Sequence, residues 1–425
     1  MSDAATPPAR GPRLVAVVAV WLLVFASVVS WRKGVLYSGG SDPVVVAKAA
    51  VALLGALAAL VLWRTAPSRR ALSPFPVLLV VAIVGVSLVG AIQAGALAAN
   101  AVLAIRIAIL SFTIVLILAA TPTARAVTGM LTAMALIGVG SAATGAIPIL
   151  LHTAGRGRLG GGIPPLEPNE LATLILPAAI GLLHVVLRTG LRPAPVAGLL
   201  LLAGIIYATG SRVALAMLVV GALIIVLRER RLSFGVLVLV LLGFVGVYVV
   251  VMFSSAITDL TLRGQGVGRL LTLNSRTISW SAVLDTPSDE WPWWIGNGLS
   301  MKSVPVLGQA WDTQVFDSSW ISSVAQDGAI GTVLLAVYAL GTLVAVARRR
   351  SLGSLGLAIA GTVFIRSFFE NGLIESSTTF TVFFALALAS WPGTQETARE
   401  IHRVVATRRQ PLPRVVRVPS WDRTS

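Results

Sequence analysis

Apolar stretches of roughly twenty residues recur along most of the chain, and they restrict the solvent in which it can fold. They lie at 14–31, 43–63, 75–92, 98–120, 126–148, 168–187, 195–209, 211–227, 233–253, 318–346, 352–369 and 374–391. A helix needs about 20 apolar residues to cross a hydrocarbon core about 30 Å thick. Most of the stretches meet that length; the pair at 195–209 and 211–227 is short. The chain is 56% hydrophobic and 12% charged, whereas a soluble protein carries about 25% charged residues. Too little polar surface remains to cover a water-soluble globule, so lipid is the expected main solvent. The fold class expected is all-α: a polytopic integral membrane protein of about twelve transmembrane helices. The first stretch is too long for a secretory leader, lacks a small-residue cleavage site and is followed by another span.

A net charge of +16 invites a nucleic-acid reading, and the placement of the charges removes it. With a cytoplasmic N-terminus, Arg64, Arg69, Arg70, Arg125, Arg188, Arg192, Arg228, Arg230, Arg231 and Arg348–Arg350 all fall on the cytoplasmic side, as the positive-inside rule requires. The expected organisation follows: a cytoplasmic tail at 1–13, nine spans in 14–253, one large extracytoplasmic loop at 254–317, three spans in 318–391 and a basic cytoplasmic tail at 392–425. The last segment is read as a surface attracted to anionic lipid. The absence of cysteine excludes disulfides and thiolate metal sites, and three scattered histidines do not make a metal cluster.

The informative residues are those that the orientation rule leaves unexplained on the outer side. Arg212 follows Ser211, read as the N-cap of the next span. A cation in that first turn is opposed by the helix dipole unless an anion sits there too; the alternative is an arginine snorkelling to headgroup phosphates. Arg276 repeats the pattern in NSRTISW, opening an amphipathic helix to about Leu284 that sets Trp280 on the same face. It either joins Arg212 around an oxyanion, a diphosphate suiting two arginine forks, or pairs with a carboxylate such as Asp285. Arg263 and Arg269 lie just upstream. The tryptophans of the large loop either anchor it in the headgroup layer or stack on a sugar or an isoprenoid.

Asp317 stands where the large loop re-enters the membrane, as a helix cap or as a general base for an acceptor hydroxyl. Asp327, ten residues on and inside the span, is costly at that depth. Further candidates are Arg156 and Arg158 in the Gly-rich loop, Glu167, Asn169 and Glu170 at the sixth span, and Arg366, Glu370, Asn371 and Glu375 around the last outer turn. Arg366 and Glu370 have the spacing of an ion pair. Arg106, inside the fourth span, is left to a snorkelling or buried-pair role. No P-loop, dinucleotide fingerprint, metalloprotease pair or Asp-x-Asp sugar-nucleotide site is present. The candidates face away from the cytoplasm, where nucleotide sugars are absent, so a glycosyl donor there has to be lipid-linked.

Five segments, in order over roughly 160–390, resemble the O-antigen ligase and polymerase-like family of bacterial membrane glycosyltransferases. They are PNELATLILP, ATGSRVALAML, NSRTISW with the following IGNGLS, FDSSWISSVAQDGAIGTVLL, and RSFFENGL. The resemblance implies an undecaprenyl-diphosphate-linked glycan donor, a glycan or lipid acceptor and metal-independent, cofactor-free transfer. It implies a multi-pass protein of the bacterial inner membrane, with the active site facing outward and lipids but no nucleic acid as partners. Arg212 and Arg276 match the arginines that hold the departing diphosphate. Asp317 stands where ligases usually carry histidine, which leaves the acceptor open. Arg156, Arg158, Asn169, Arg263, Arg269, Trp280 and Glu370 are expected around the substrate. The competing reading is a lipid-linked sugar flippase or another polytopic transporter.

Overall fold

The computed structural model describes residues 12–32, 42–150, 158–229, 276–305, 313–349 and 352–392, with the side chains of 149, 150 and 276–278 outside that description. Within it the chain is predominantly helical. Eight helices come first: α1 Leu14–Val28, α2 Pro43–Thr65, α3 Phe75–Gln93, α4 Leu97–Ala120, α5 Thr123–Leu150, α6 Pro168–Thr189, α7 Pro193–Ala208 and α8 Arg212–Arg228. A short region follows, with α9 Arg276–Leu284, α10 Trp291–Ile295 and the strands β1 Ser303–Pro305 and β2 Thr313–Val315. It leads into α11 Ser319–Arg348, α12 Gly353–Arg366 and α13 Thr378–Ser390. Six helices, α2 to α6 and α11, are long and apolar enough to cross a membrane.

Local chemistry sets the helix ends. Asp42 caps α2, its carboxylate accepting from the Val44 and Val45 amides at 2.7 and 3.0 Å, and Pro43 fills the first turn, where a missing N–H costs nothing. Prolines also open α3, α6 and α7. Glu170 reaches back to the Glu167 amide at 3.1 Å. The α7–α8 connection turns on Gly210 at φ 62°, a conformation that side chains with a Cβ disfavour.

The packing is that of a protein solvated by lipid. α2 is the outermost long helix, with Leu53, Leu54, Leu57 and Val61 exposed. α13 is enclosed, its residues from Phe380 to Ser390 all buried. Lipid tails are as apolar as leucine, so close packing rather than water exclusion holds such helices together. Small residues let them approach: a Cβ on Gly138 of α5 would lie 2.4 Å from Ile175 of α6.

The chain order and the contacts give the bundle two ends. At one, arginines bond backbone carbonyls: Arg125 to Pro12 at 2.8 Å, Arg70 to Ala389 at 3.3 Å, Arg349 to Ser390 at 2.8 Å, and Arg228 to Ala347. The other end collects α9, α10, the hairpin and the starts of α6, α8, α11 and α13.

α11 is broken. Gly328 has φ 65° and ψ −166° and splits it into 319–327 and 329–348. The second part alone rises about 30 Å at ~1.5 Å per residue, a full hydrocarbon thickness. Backbone groups freed by a buried break need protein partners, and residues 295–301 supply them. The Asn297 amide donates to the Ala325 carbonyl and the Gly298 amide to the Gln326 carbonyl, both at 2.9 Å. Gln326 Nε2 donates to the Met301 carbonyl at 2.8 Å. The fit is backbone on backbone: a Cβ on Gly296 would lie 2.2 Å from Gln326 C, and one on Gly328 2.3 Å from Trp294 C. From α4, the buried Asn100 receives the Ser300 amide at 2.9 Å and donates to the Ser300 hydroxyl at 2.8 Å. Part of the segment expected as an outer loop is therefore embedded between α3, α4 and α11.

Candidate functional site

The first half of α11 is tied to the turn between α12 and α13. The Ser319 amide donates to the Ser367 carbonyl at 2.9 Å, Trp320 Nε1 to Ser367 Oγ at 2.9 Å, and Ser319 Oγ to the Glu370 carbonyl at 3.0 Å. The hairpin pairs Ser303 with Val315, and beyond it the Phe316 amide donates to the Lys302 carbonyl at 3.2 Å. Lys302 and Asp317 therefore leave the hairpin together, and both line a cleft of about 340 Å³.

That cleft gathers residues distant in sequence. Asn169, Glu170 and Thr173 come from α6, Asp317 from the re-entry point, and Glu370, Asn371 and Glu375 from the last turn. Three expected site residues, Asn169, Asp317 and Glu370, are thus brought together. Asp317 is not the cap of α11: Ser318 holds that position, its Oγ accepting from the Trp320 amide at 3.3 Å. The capping alternative for Asp317 is corrected on that geometry, since Ser318 is one residue nearer the first free amides.

Ion pairs and amides hold the walls. Lys302 Nζ lies 2.5 Å from Glu375 Oε1, and Asn371 Nδ2 donates to the same oxygen at 2.7 Å. The nearly buried Arg366 meets Glu370 Oε2 at 2.5 Å and also bonds Thr173 Oγ1. The spacing expected to make Arg366 and Glu370 a structural pair does so.

Arg158 extends the site toward α8. Its Nη2 donates to Asn169 Oδ1 at 2.6 Å and its Nε to the Thr209 carbonyl at 2.7 Å. It therefore spans from the cleft to the turn just before Arg212. Arg212 opens α8 after the N-cap Ser211, whose hydroxyl makes no capping bond. Arg276 opens α9, as the sequence predicts, and its side chain lies outside the described residues. Arg156, Arg263 and Arg269 also lie outside the described residues. Trp280 does not line the cleft but packs on a small cluster with Val283, Val304, Phe316 and Ile321.

A second cleft of about 250 Å³ adjoins the first and shares Val28, Ser30, Glu170, Lys302, Glu375 and Ser377 with it. Its other charged lining is Arg32, Asp42, Lys48 and Arg106. Amide hydrogen bonds, led by that of Val45, hold the Asp42 carboxyl below its ordinary range against the opposing effect of burial. Arg106, unexplained in sequence, is a wall of this cleft. Lys48 and Lys302 escape motif reasoning altogether. One signal was available: the chain holds only three lysines, at 33, 48 and 302, among 33 basic residues.

Asp327 is buried one residue before the break. Ser323 Oγ donates to its Oδ2 at 3.1 Å, and its Oδ1 has no hydrogen-bond partner among the described residues. No group of acidic residues and histidines suited to a metal ion occurs among the described residues. No protein-family model matches the chain, and no curated protein matches it.

Proposed function

We propose that the protein is a membrane glycosyltransferase that moves or polymerises a glycan from an undecaprenyl-diphosphate carrier onto an acceptor hydroxyl. The observation carrying this reading is the convergence of Asp317, Asn169 and Glu370 on one polar cleft at one end of an apolar helical bundle. In the reaction, the acceptor oxygen attacks the anomeric carbon while the bond from that carbon to the diphosphate oxygen breaks. The bonding pair leaves with the lipid diphosphate, and the acceptor proton passes to Asp317. Arg212 and Arg276 stabilise the charge growing on the leaving group, a preorganised electrostatic role. Arg158, fixed by Asn169 and the Thr209 carbonyl, borders the path between Asp317 and Arg212.

The same reading has twelve crossings of a bacterial inner membrane, with the cleft end facing outward and both termini in the cytoplasm. The ninth expected crossing, at 233–253, lies outside the described residues. A cysteine placed at Ser288 is expected to label from outside only.

The transporter reading draws on a different observation, the broken α11 with Asp327 buried beside the break, since transporters often interrupt helices near the midplane. One experiment separates the two. Purified protein is mixed with an undecaprenyl-diphosphate glycan and candidate acceptors, and release of the lipid diphosphate is followed. Transfer predicts release that depends on acceptor. Movement of intact lipid-linked glycan across proteoliposomes without release favours transport.

A further inference from the structure

Asp317 stands between two anchored neighbours. Behind it, the Phe316 amide donates to the Lys302 carbonyl at 3.2 Å. Ahead of it, Ser318 Oγ and the Ser319 amide both donate to the Ser367 carbonyl, at 3.4 and 2.9 Å. The first anchor belongs to the hairpin and the second to the turn between α12 and α13. The place of Asp317 in the cleft therefore depends on how those two pieces are held against each other.

Lys302 joins the hairpin to that turn. Its carbonyl holds Phe316, and its ammonium reaches Glu375 at 2.5 Å. Its neighbours in the chain are fixed: the Met301 carbonyl accepts from Gln326 Nε2 at 2.8 Å, and Ser303 pairs with Val315. Glu375 is fixed in turn. Asn371 Nδ2 donates to the same carboxylate oxygen at 2.7 Å and to Ser322 Oγ of α11 at 3.1 Å, while the Gly372 amide donates to Asn371 Oδ1 at 2.7 Å. The Lys302 side chain is only 10% exposed, so water screens the pair poorly, and removing either partner leaves the other charge uncompensated. Lys302, Glu375 and Asp317 all line the larger cleft.

We propose that Lys302 is a positioning residue for the Asp317 site. This role rests on the transfer reading, in which Asp317 takes the acceptor proton. The Lys302–Glu375 pair sets the hairpin at a fixed separation from the turn that carries Glu370, and the Phe316 bond passes that setting to Asp317. The base and the Glu370 wall then keep one spacing across the cleft. A misplacement of about 1 Å is worth about 10²-fold in rate. Lys302 needs no contact with the sugar to act in this way.

Two measurements on the full chain in nanodiscs test this: single-turnover transfer at varied acceptor concentration, and the separation of hairpin and turn. The chain has no cysteine, so spin labels on Thr313→Cys in β2 and Ser376→Cys in the turn report that separation by electron paramagnetic resonance. Rates are read on the unlabelled proteins. The variants are Lys302→Gln, Glu375→Gln and the exchange of Lys302→Glu with Glu375→Lys. Each Gln variant is expected to slow transfer by about 10–100-fold, with the acceptor dependence little changed, and to broaden the distance distribution. The exchange rebuilds the pair and is expected to recover most of both. A distribution as narrow in both Gln variants as in the wild type overturns the positioning role, whatever the rates. Slowed Gln variants that the exchange leaves slow assign Lys302 to direct substrate contact and overturn it as well. A wild type that releases no lipid diphosphate contradicts the transfer reading. If each Gln variant still broadens the distribution and the exchange narrows it, Lys302 stands as the tie that sets Asp317.

Discussion

Arginines at both ends of the bundle bond backbone carbonyls, and those at the cleft end also hold the side chains that line the cleft. At one end Arg70, Arg125, Arg228 and Arg349 bond backbone carbonyls. Those carbonyls lie in the last turns of helices or next to helix starts. In the last turns of α11 and α13 a cation satisfies orphan acceptors and complements the helix dipole, whereas Arg125, in the first turn of α5, binds the Pro12 carbonyl ahead of α1. At the other end, Arg366 meets a carboxylate and a hydroxyl besides the Asn169 carbonyl, Arg158 meets an asparagine besides the Thr209 carbonyl, and Lys302 meets a glutamate. Their partners Asn169, Thr173, Glu370 and Glu375 line the larger cleft, and Arg212 sits at a helix start. The lesson concerns context: an arginine that only completes a helix end explains itself, whereas one that also grips side chains from other helices shapes a cleft.

Mutations sharpen this contrast. The largest loss of stability is expected at the cleft end, where backbone packs on backbone. Gly296→Ala forces a Cβ into Gln326 and requires a side chain at φ 67°. A penalty on the order of 3 kcal/mol or more is expected from strain and overlap together, read as a fall in melting temperature in detergent. An unchanged melting temperature means that 295–301 does not seat the α11 break as described.

Next come the arginines assigned to chemistry. Arg212→Ala or Arg276→Ala should slow transfer by about 10²–10³-fold, the usual effect of removing one charge-stabilising group. Melting temperatures should move little. Lysine at either position should serve poorly, because it loses the two-pronged contact. Near-normal turnover in both alanine variants would return these residues to the role of lipid anchors.

The opposite end should respond in stability alone. Arg349→Ala removes bonds to the Ser390 and Trp391 carbonyls and is expected to cost about 1–3 kcal/mol with turnover per folded molecule unchanged. A selective loss of turnover would erase the distinction between the ends.

The smallest effect concerns pH. Glu229 follows α8 and accepts from Ser354 Oγ at 2.6 Å. That hydrogen bond, more than the nearby Arg188 and His184, holds its pKa below the ordinary glutamate range, while burial works against it. A lowered folded-state pKa gives stability that is present above the unfolded carboxylate value and lost as pH falls through the folded one. The melting-temperature gap between wild type and Glu229→Gln should therefore be open at neutral pH and close below about pH 4. A gap independent of pH excludes the charge as its source.

Helices and their starts were legible because they rest on local rules. Apolar length marked the six helices long enough to cross a membrane, Ser211-Arg212 marked the start of α8, and NSRTISW marked a helix ending at Leu284. The seating of 295–301 on the break was not legible, since glycine contacts across distant segments leave no periodic signal. Asp317 was readable as a cap from its place at the re-entry, until the backbone placed Ser318 at the N-cap. Lys48 was hidden because a lysine near the end of an apolar span reads as a snorkelling residue. Only the fold sets it beside Arg106 and Lys302.

The central claim is that the cleft end performs glycan transfer with Asp317 as its base, and single-turnover transfer by Asp317→Asn tests it most directly. Asparagine keeps the size of the side chain and removes the proton acceptor. The account predicts a folded protein with wild-type donor affinity and a transfer rate lower by about 10²–10⁴-fold, partly restored by Asp317→His. Transfer by Asp317→Asn at the wild-type rate would contradict it and move the base elsewhere, to Asp327 or Glu370.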